Sequence, residues 1–520
     1  MELSSPQQII IATPRPRSAE DPLSNKRRKT VPSPESSQAK DLVIFPPPDT
    51  IHQRWAPERF TVKYCERLQP EDHLQGEESL PHGHPPQGES SLSNPTPPQD
   101  EKNWRFDLRI PLPSARQMFM PFDLREYPSK FLEPANNNLL FEIFPKTQAI
   151  EFDDRVLVYR FDELPPKPWP RQIARVPCYL TNDPHDNGPM IPIRHRSRSQ
   201  IVLSPTIDLR DNEPAANLIF DLTQDFFMKA NLPITEVQFW GHLVIIVLET
   251  EPDNVEVLQA VPKSIARCQC FYLFESEMER PTQLSAQRLK QVTPATIDNT
   301  QYKVLRPGVV LSSAMNNQGQ EFHTSSGVLV QDTNGHRYMT AASHGFPEEG
   351  KVYHPTASGL EIGEPTIELT HTDIALVKLN DGVEFVNEPF ENTVDPRGPF
   401  TLGDFVRAGE TRHGDDIFLD SPFSGFISGT RLAHSICRIP SDDPYEPRQI
   451  WIRCHWVYLG QDSANEIVDG VCGSPIWDEN NRVLGFFRYA HTSGVFKDHC
   501  LIVAADHILD KGYTVVSTVV

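Results

Sequence analysis

From Tyr302 to Val520 the chain runs in short apolar segments separated by turn residues, and this alternation constrains its fold more than any other feature. Gly327-Val328-Leu329-Val330, the turn Asp332-Thr333-Asn334-Gly335 and Arg337-Tyr338-Met339-Thr340 read as a hairpin. Further on, Asp478-Glu479-Asn480-Asn481 turns the chain into Val483-Leu484-Gly485-Phe486-Phe487. Cys500-Leu501-Ile502-Val503-Ala504 makes a last strand, and Asp506 to Lys511 a short terminal helix. The pattern predicts an all-β domain over 303–520, arranged as a pair of barrels.

A chain of 520 residues has room for two or three domains, yet only 38% of it is hydrophobic and 50 residues are Pro, so part of it builds no core. That part is expected at 1–103, which is rich in Pro, Ser, Gln and charge and reads as disordered apart from a short piece around Phe60-Thr61-Val62-Lys63-Tyr64. Within it Lys26, Arg27, Arg28 and Lys29 form a basic cluster flanked by Thr13-Pro14 and Ser33-Pro34. This is the pattern of a nuclear import signal, with an import receptor as partner; the plainer reading is a solvated charge run. The net charge of −21 argues against general attraction to nucleic acid or to an anionic membrane. Met1-Glu2-Leu3-Ser4-Ser5-Pro6 opens no signal peptide, and no apolar run approaches the roughly 20 residues of a membrane helix. The expectation is an intracellular protein, nuclear or else cytoplasmic, in a reducing compartment.

The eight cysteines (Cys65, Cys178, Cys268, Cys270, Cys437, Cys454, Cys472 and Cys500) lack the paired spacing of a disulfide framework or of a zinc site. Cys268-Gln269-Cys270 places two thiols on one face of a strand. No metal or cofactor is expected.

Residues 104–280 predict an α+β domain of unknown role, joined by a linker over 281–302. Ala215 to Ala230 carries Leu218, Ile219, Leu222, Phe226 and Phe227 at helical spacing, stopped by Asn231-Leu232-Pro233. Glu236-Val237-Gln238-Phe239-Trp240 and Leu243-Val244-Ile245-Ile246-Val247-Leu248 make a hairpin through Gly241-His242. A second helix is expected within Val255 to Arg267, interrupted by Pro262, and then the strand Phe271-Tyr272-Leu273-Phe274. Trp240 and His242 read as structural.

Three segments carry chemistry, in the order Thr340-Ala341-Ala342-Ser343-His344-Gly345, Thr372-Asp373-Ile374-Ala375-Leu376-Val377-Lys378-Leu379 and Gly470-Val471-Cys472-Gly473-Ser474-Pro475. A thiolate that attacks a carbonyl needs a base to take its proton, and imidazole is the usual one. A carboxylate that accepts the other ring N–H orients the base and favours the imidazolium. Each position also has a plainer reading: His344 as a loop histidine, Cys472 as a buried core thiol.

The three segments resemble the chymotrypsin-like (trypsin-like, PA-type) peptidases, whose nucleophile segment reads G-D-S-G-G-P and whose acid sits in D-I-A-L-L-K-L. Cysteine stands here where that family most often has serine. The resemblance implies a double β-barrel with His344 as base, Asp373 as orienting carboxylate and Cys472 as nucleophile. The amides of Gly470 and Cys472 would form the oxyanion hole. Gly485 to Ala490 would be the wall of the specificity pocket, with Tyr489 at the family's usual Trp and Ala490 at the entrance. Its substrate would be a protein or peptide.

Ser343 adds one residue to the family's T-A-A-H, and His371 is a competing polar residue near Asp373. Val471 replaces the Asp that pairs with a new N-terminus in trypsin-like zymogens. Phe487 falls where glutamine-reading relatives carry His, and Glu466 falls near the pocket floor. The alternatives are a non-catalytic barrel that binds peptides, and an interaction protein whose barrel is a scaffold or processes itself near 281–302.

Overall fold

The computed structural model describes residues 63–66, 117–249, 255–281, 287–289, 298, 300–315, 319, 321–346, 350–369, 371–390, 400–439, 450–461 and 470–517. The Lys26–Lys29 cluster, Glu466 and nearly all of 1–103 lie outside them. Lys63–Glu66, at the short piece expected to be ordered, pairs with Ala149–Phe152. That strand belongs to a sheet that continues through Leu157–Arg160, Val176–Thr181, Gln172–Ile173 and Gln117–Met118. It covers its own core of Leu140, Phe152, Leu157, Tyr159 and Leu180.

The span 104–280 therefore feeds two sheets, where one α+β unit was expected. Its second half begins with helix α1 (Ala216–Lys229), which buries Ala216, Ile219, Phe220, Thr223 and Phe227 along one stripe. Leu218, expected in that stripe, faces solvent. The stripe is set by what lies beneath it: β1 (Ile234–Phe239) and β2 (Leu243–Leu248), joined at Gly241, whose φ of 87° is left-handed. Phe227 is 1% exposed, which contributes about 1.5–3 kcal/mol.

β2 lies parallel to β3 (Cys268–Phe274). Its unbroken run of apolar residues serves two cores: Val244, Ile246 and Leu248 pack under α1, whereas Leu243, Ile245 and Val247 pack toward the C-terminal strands. The helix expected within 255–267 is only a 3-10 turn over Val255–Gln259, followed by the strand Ser264–Ile265. Pro262 lies between them without an amide proton, and its carbonyl accepts the Tyr272 hydroxyl at 2.6 Å.

Most of the remaining strands form two rings. The first runs through β5 (Val310–Ser312), β6 (Glu321–Gln331), β7 (Arg337–Ala342), β8 (Val352–His354), β9 (Leu360–Glu368) and β10 (Ile374–Leu379). The order β6-β5-β8-β9-β10-β7 closes through β7 on β6. A short strand, β4 (Gln287–Leu289), adds to β6. The second ring contains β11 (Asp416–Ser421), β12 (Gly425–Ile439), β13 (Ile450–Tyr458), β14 (Pro475–Asp478), β15 (Arg482–Ala490) and β16 (His499–Ala504). Here β11-β14-β15-β16-β13-β12 returns to β11.

β12 is 15 residues long and outlasts its ring. Its far half pairs with β1, His434 opposite Phe239 and Cys437 opposite Glu236, so the α1 sheet is continuous with the second ring. Among the described residues no helix is long and apolar enough to cross a membrane.

Candidate active site

His344 and Asp373 meet because of strand register. β7 and β10 are antiparallel with Ala342 opposite Ile374, so the residues just after β7 and just before β10 are neighbours. The extra Ser343 is absorbed in a 3-10 turn over Ser343–Gly345, where its amide donates to the Asp373 carbonyl at 2.8 Å. Asp373 has φ 66° in a tight turn that the Leu369 amide closes on the Ile374 carbonyl at 2.8 Å. Its Oδ1 accepts the His344 amide at 2.9 Å and its Oδ2 meets the ring Nδ1 at 2.7 Å. That contact places the Nδ1 proton on the acid side and leaves Nε2 as the working nitrogen. His371 is exposed and makes no such contact.

Cys472 sits in the loop that enters β14, and that loop is pinned to the first ring. The Cys472 carbonyl accepts the Thr324 hydroxyl at 2.5 Å and the Ser325 amide at 3.0 Å, both from β6. The Ser325 hydroxyl donates to the Gly470 carbonyl at 2.9 Å. Gly473 has φ 87°, and a Cβ there would come within 2.7 Å of the Ala342 amide nitrogen. Glycine is required by the backbone turn and by this close approach together.

The thiol of Cys472 donates to the Arg488 carbonyl on β15 at 3.2 Å. The buried Nε2 of His344 meets no other described partner, and Cys472 interacts with the ring. Burial alone would lower the imidazole; the charge and hydrogen bond of Asp373, joined by the neighbouring Cys472, overcome it and raise His344 to about 10. The amides of Gly470 and Cys472 donate to no described residue.

Tyr489 and Ala490 follow Arg488 on the same strand. Ala490 packs against the apolar cluster that contains Val471, Cys472, Phe487, Cys500 and Ile502. Phe487 stands opposite Ile502 across β15 and β16. Tyr489 is half-buried, its ring 5.3 Å from that of His491, and burial raises its phenol. Sequence reasoning missed Thr324 and Ser325, which lie in no motif, and the part played by Arg488 within Gly485 to Ala490; together they hold the Cys472 loop from two different strands. The Arg488 side chain is itself held charged: burial opposes this, but Asp373, Cys454, Cys437 and Tyr489 together outweigh it. Among the described residues no group of three or more His, Cys, Asp or Glu is arranged to hold a metal.

The sequence matches no family model and no curated protein. Among solved structures it is similar to a glutamic-acid-specific serine protease described as using a novel histidine triad in substrate binding (14% identity, 41% of this chain and 100% of that one, TM-score 0.31). It is also similar to the chymotrypsin of Cellulomonas bogoriensis (16%, 42% and 100%, TM-score 0.28) and to the active form of a protease from M. tuberculosis (15%, 45% and 90%, TM-score 0.26). These are distant likenesses to serine proteases and bring no residue role to this chain.

Proposed function

We propose that this protein is a cysteine endopeptidase with a chymotrypsin-like double barrel over 303–520, working through Cys472, His344 and Asp373. The observation that carries the reading is the pair of contacts from Asp373 to the amide and ring of His344, with Nε2 left to no described partner but Cys472. The thiol passes its proton to Nε2, and the thiolate attacks the scissile carbonyl carbon. The Gly470 and Cys472 amides receive the oxyanion. The imidazolium protonates the leaving amine, and water attacks the thioester with His344 as base.

The test is iodoacetamide labelling across pH, wild type beside Cys472→Ala and His344→Ala. Fast labelling near neutral pH that needs both residues supports the reading. Labelling that rises only above about pH 8, as for an ordinary thiol, sinks it. A second reading, a barrel that binds peptides without cutting them, is favoured by one observation: the resting thiol donates to the Arg488 carbonyl at 3.2 Å. Slow labelling together with peptide binding would establish it. The Lys26–Lys29 cluster is proposed as an import signal; a reporter fused to 1–60 that stays out of the nucleus would end that proposal.

A further inference from the structure

Glu236 is a fully buried carboxylate on β1, and no motif accounts for it. A carboxylate out of water is costly unless donors surround it. Its donors come from three elements. The Ser435 hydroxyl on β12 and the Trp456 indole N–H on β13, the latter at 2.8 Å, both reach Oε1. Arg280, from the chain that leaves β3, reaches Oε2 at 2.6 Å and also holds Glu275 at 2.8 Å. Joining the sheets does not require this charge. β1 and β12 already pair through their backbones, and Glu213 with Arg431 ties the same two units elsewhere.

What the carboxylate adds is reach toward β15. Trp456 stacks on Phe496 with ring centroids 4.3 Å apart and lies 5.4 Å from His491. The His491 ring is 5.3 Å from that of Tyr489, the residue after Arg488. Burial works against the Arg280 charge, but Glu236, Tyr489, Glu275 and Cys437 together outweigh it, so Arg280 too lies close to this strand. Its neighbour Glu279 accepts the Ser493 hydroxyl at 2.5 Å, and a Cβ on Gly494 would lie 2.9 Å from the Glu279 carboxyl carbon. The run from Tyr489 to Gly494 is therefore held at two places, by Trp456 at His491 and by Glu279 at Ser493. Immediately before it, the Arg488 carbonyl accepts the Cys472 thiol at 3.2 Å.

We infer that Glu236 is a positioning residue for the nucleophile. By fixing Trp456 and Arg280 it fixes Tyr489 and His491, and with them the Arg488 carbonyl that holds the resting thiol. The α1 sheet is then a working part of the catalytic unit. The inference rests on the catalytic reading above for the use made of the thiol, and adds what sets its resting state. The bond from thiol to carbonyl lasts only while sulfur carries its proton, so it is given up before His344 takes that proton. A strand held in place keeps this restraint, and a displaced one releases it.

Iodoacetamide labelling of the full chain at pH 7, read at the Cys472 peptide by mass, tests this. Glu236→Gln keeps an acceptor for Trp456 but loses the charge that holds Arg280. Trp456→Phe keeps a ring on Phe496 but drops the hydrogen bond. Each folded variant is expected to label about two- to tenfold faster than wild type, the worth of one hydrogen bond to a neutral group. Glu236→Gln with Tyr489→Ala should label no faster than the quicker single variant, because both act on one chain of contacts. Glu213→Gln, which weakens the other tie between the same sheets, should lower the urea midpoint and leave labelling as in wild type. Unchanged or slower labelling in Glu236→Gln or Trp456→Phe overturns the inference, and so does a double variant whose effects multiply. Equal speeding by Glu213→Gln would mark general loosening and overturns it as well. If Glu236→Gln does not fold, Trp456→Phe decides alone. Wild-type labelling that is slow and independent of His344 ends the catalytic reading, while the ratios of variant to wild type still decide this one.

Discussion

Asp373 gives one carboxylate oxygen to the backbone amide of His344 and the other to its ring, at 2.9 and 2.7 Å. Carboxylate and imidazole are therefore fixed to each other by backbone as well as by side chain, and the ring cannot swing away without breaking the turn that begins at Ser343. The strands behind both residues are paired from Met339 to Ala342, so the geometry is inherited from a barrel seam.

Asp373→Asn keeps the shape but removes the charge that favours the imidazolium. Iodoacetamide labelling at neutral pH and peptide hydrolysis should both fall, hydrolysis by on the order of a hundredfold in kcat/KM. Unchanged labelling would remove Asp373 from the mechanism.

The same pair sets a pH dependence of stability. His344 stands at about 10 in the folded chain and near the ordinary 6.5 when unfolded. A raised value stabilises the fold fully below about pH 6.5, and that stability is lost as pH rises through about 10. The melting-temperature gap between wild type and Asp373→Asn should therefore be widest from about pH 5 to 6.5 and shrink toward pH 10. A gap that grows with pH contradicts this assignment.

The grip of β6 on the nucleophile loop is tested at two places. Thr324→Val removes one hydrogen bond to the Cys472 carbonyl, at a cost of about 1 kcal/mol, and should lower kcat several-fold with little change in KM. Gly473→Ala meets backbone at 2.7 Å in a left-handed conformation and should cost at least about 1–3 kcal/mol along with nearly all labelling. Steady-state kinetics and urea unfolding separate the two effects.

A charge cluster ties α1's sheet to the second ring. Glu213 receives both terminal nitrogens of Arg431 at 3.0 Å, with Arg431 fully buried. The Arg431 charge, with His434 beside it, overcomes burial and holds the Glu213 carboxyl far below its ordinary value. Arg431→Leu strands that carboxylate, and urea unfolding should show a loss of about 3–5 kcal/mol. Glu213→Gln combined with Arg431→Leu should recover part of it.

The strand pattern after Tyr302 and the three short motifs were legible because each is local: a hairpin, an acid before a strand, a glycine-flanked thiol. The helix expected within 255–267 failed for a local reason, Pro262. Other misses were not local. Leu218 has the spacing of a core residue, but α1 is rotated to place Ile219 and Phe220 on β1 and β2. Nothing near Thr324 in the chain marks it, because the residue it holds lies 148 positions away, and the segment around Arg488 does not show that its carbonyl meets a thiol 16 positions earlier.

By itself the sequence determined which side chains are available for acid, base and nucleophile and that they are carried on strands and turns, because periodicity and turn chemistry are properties of neighbouring residues. The tertiary structure alone decided which strands close on which and that β12 outlasts its ring to take β1. Strand pairing depends on backbone amides and carbonyls that every residue carries, so the choice of partner is written only in the packing of the whole chain.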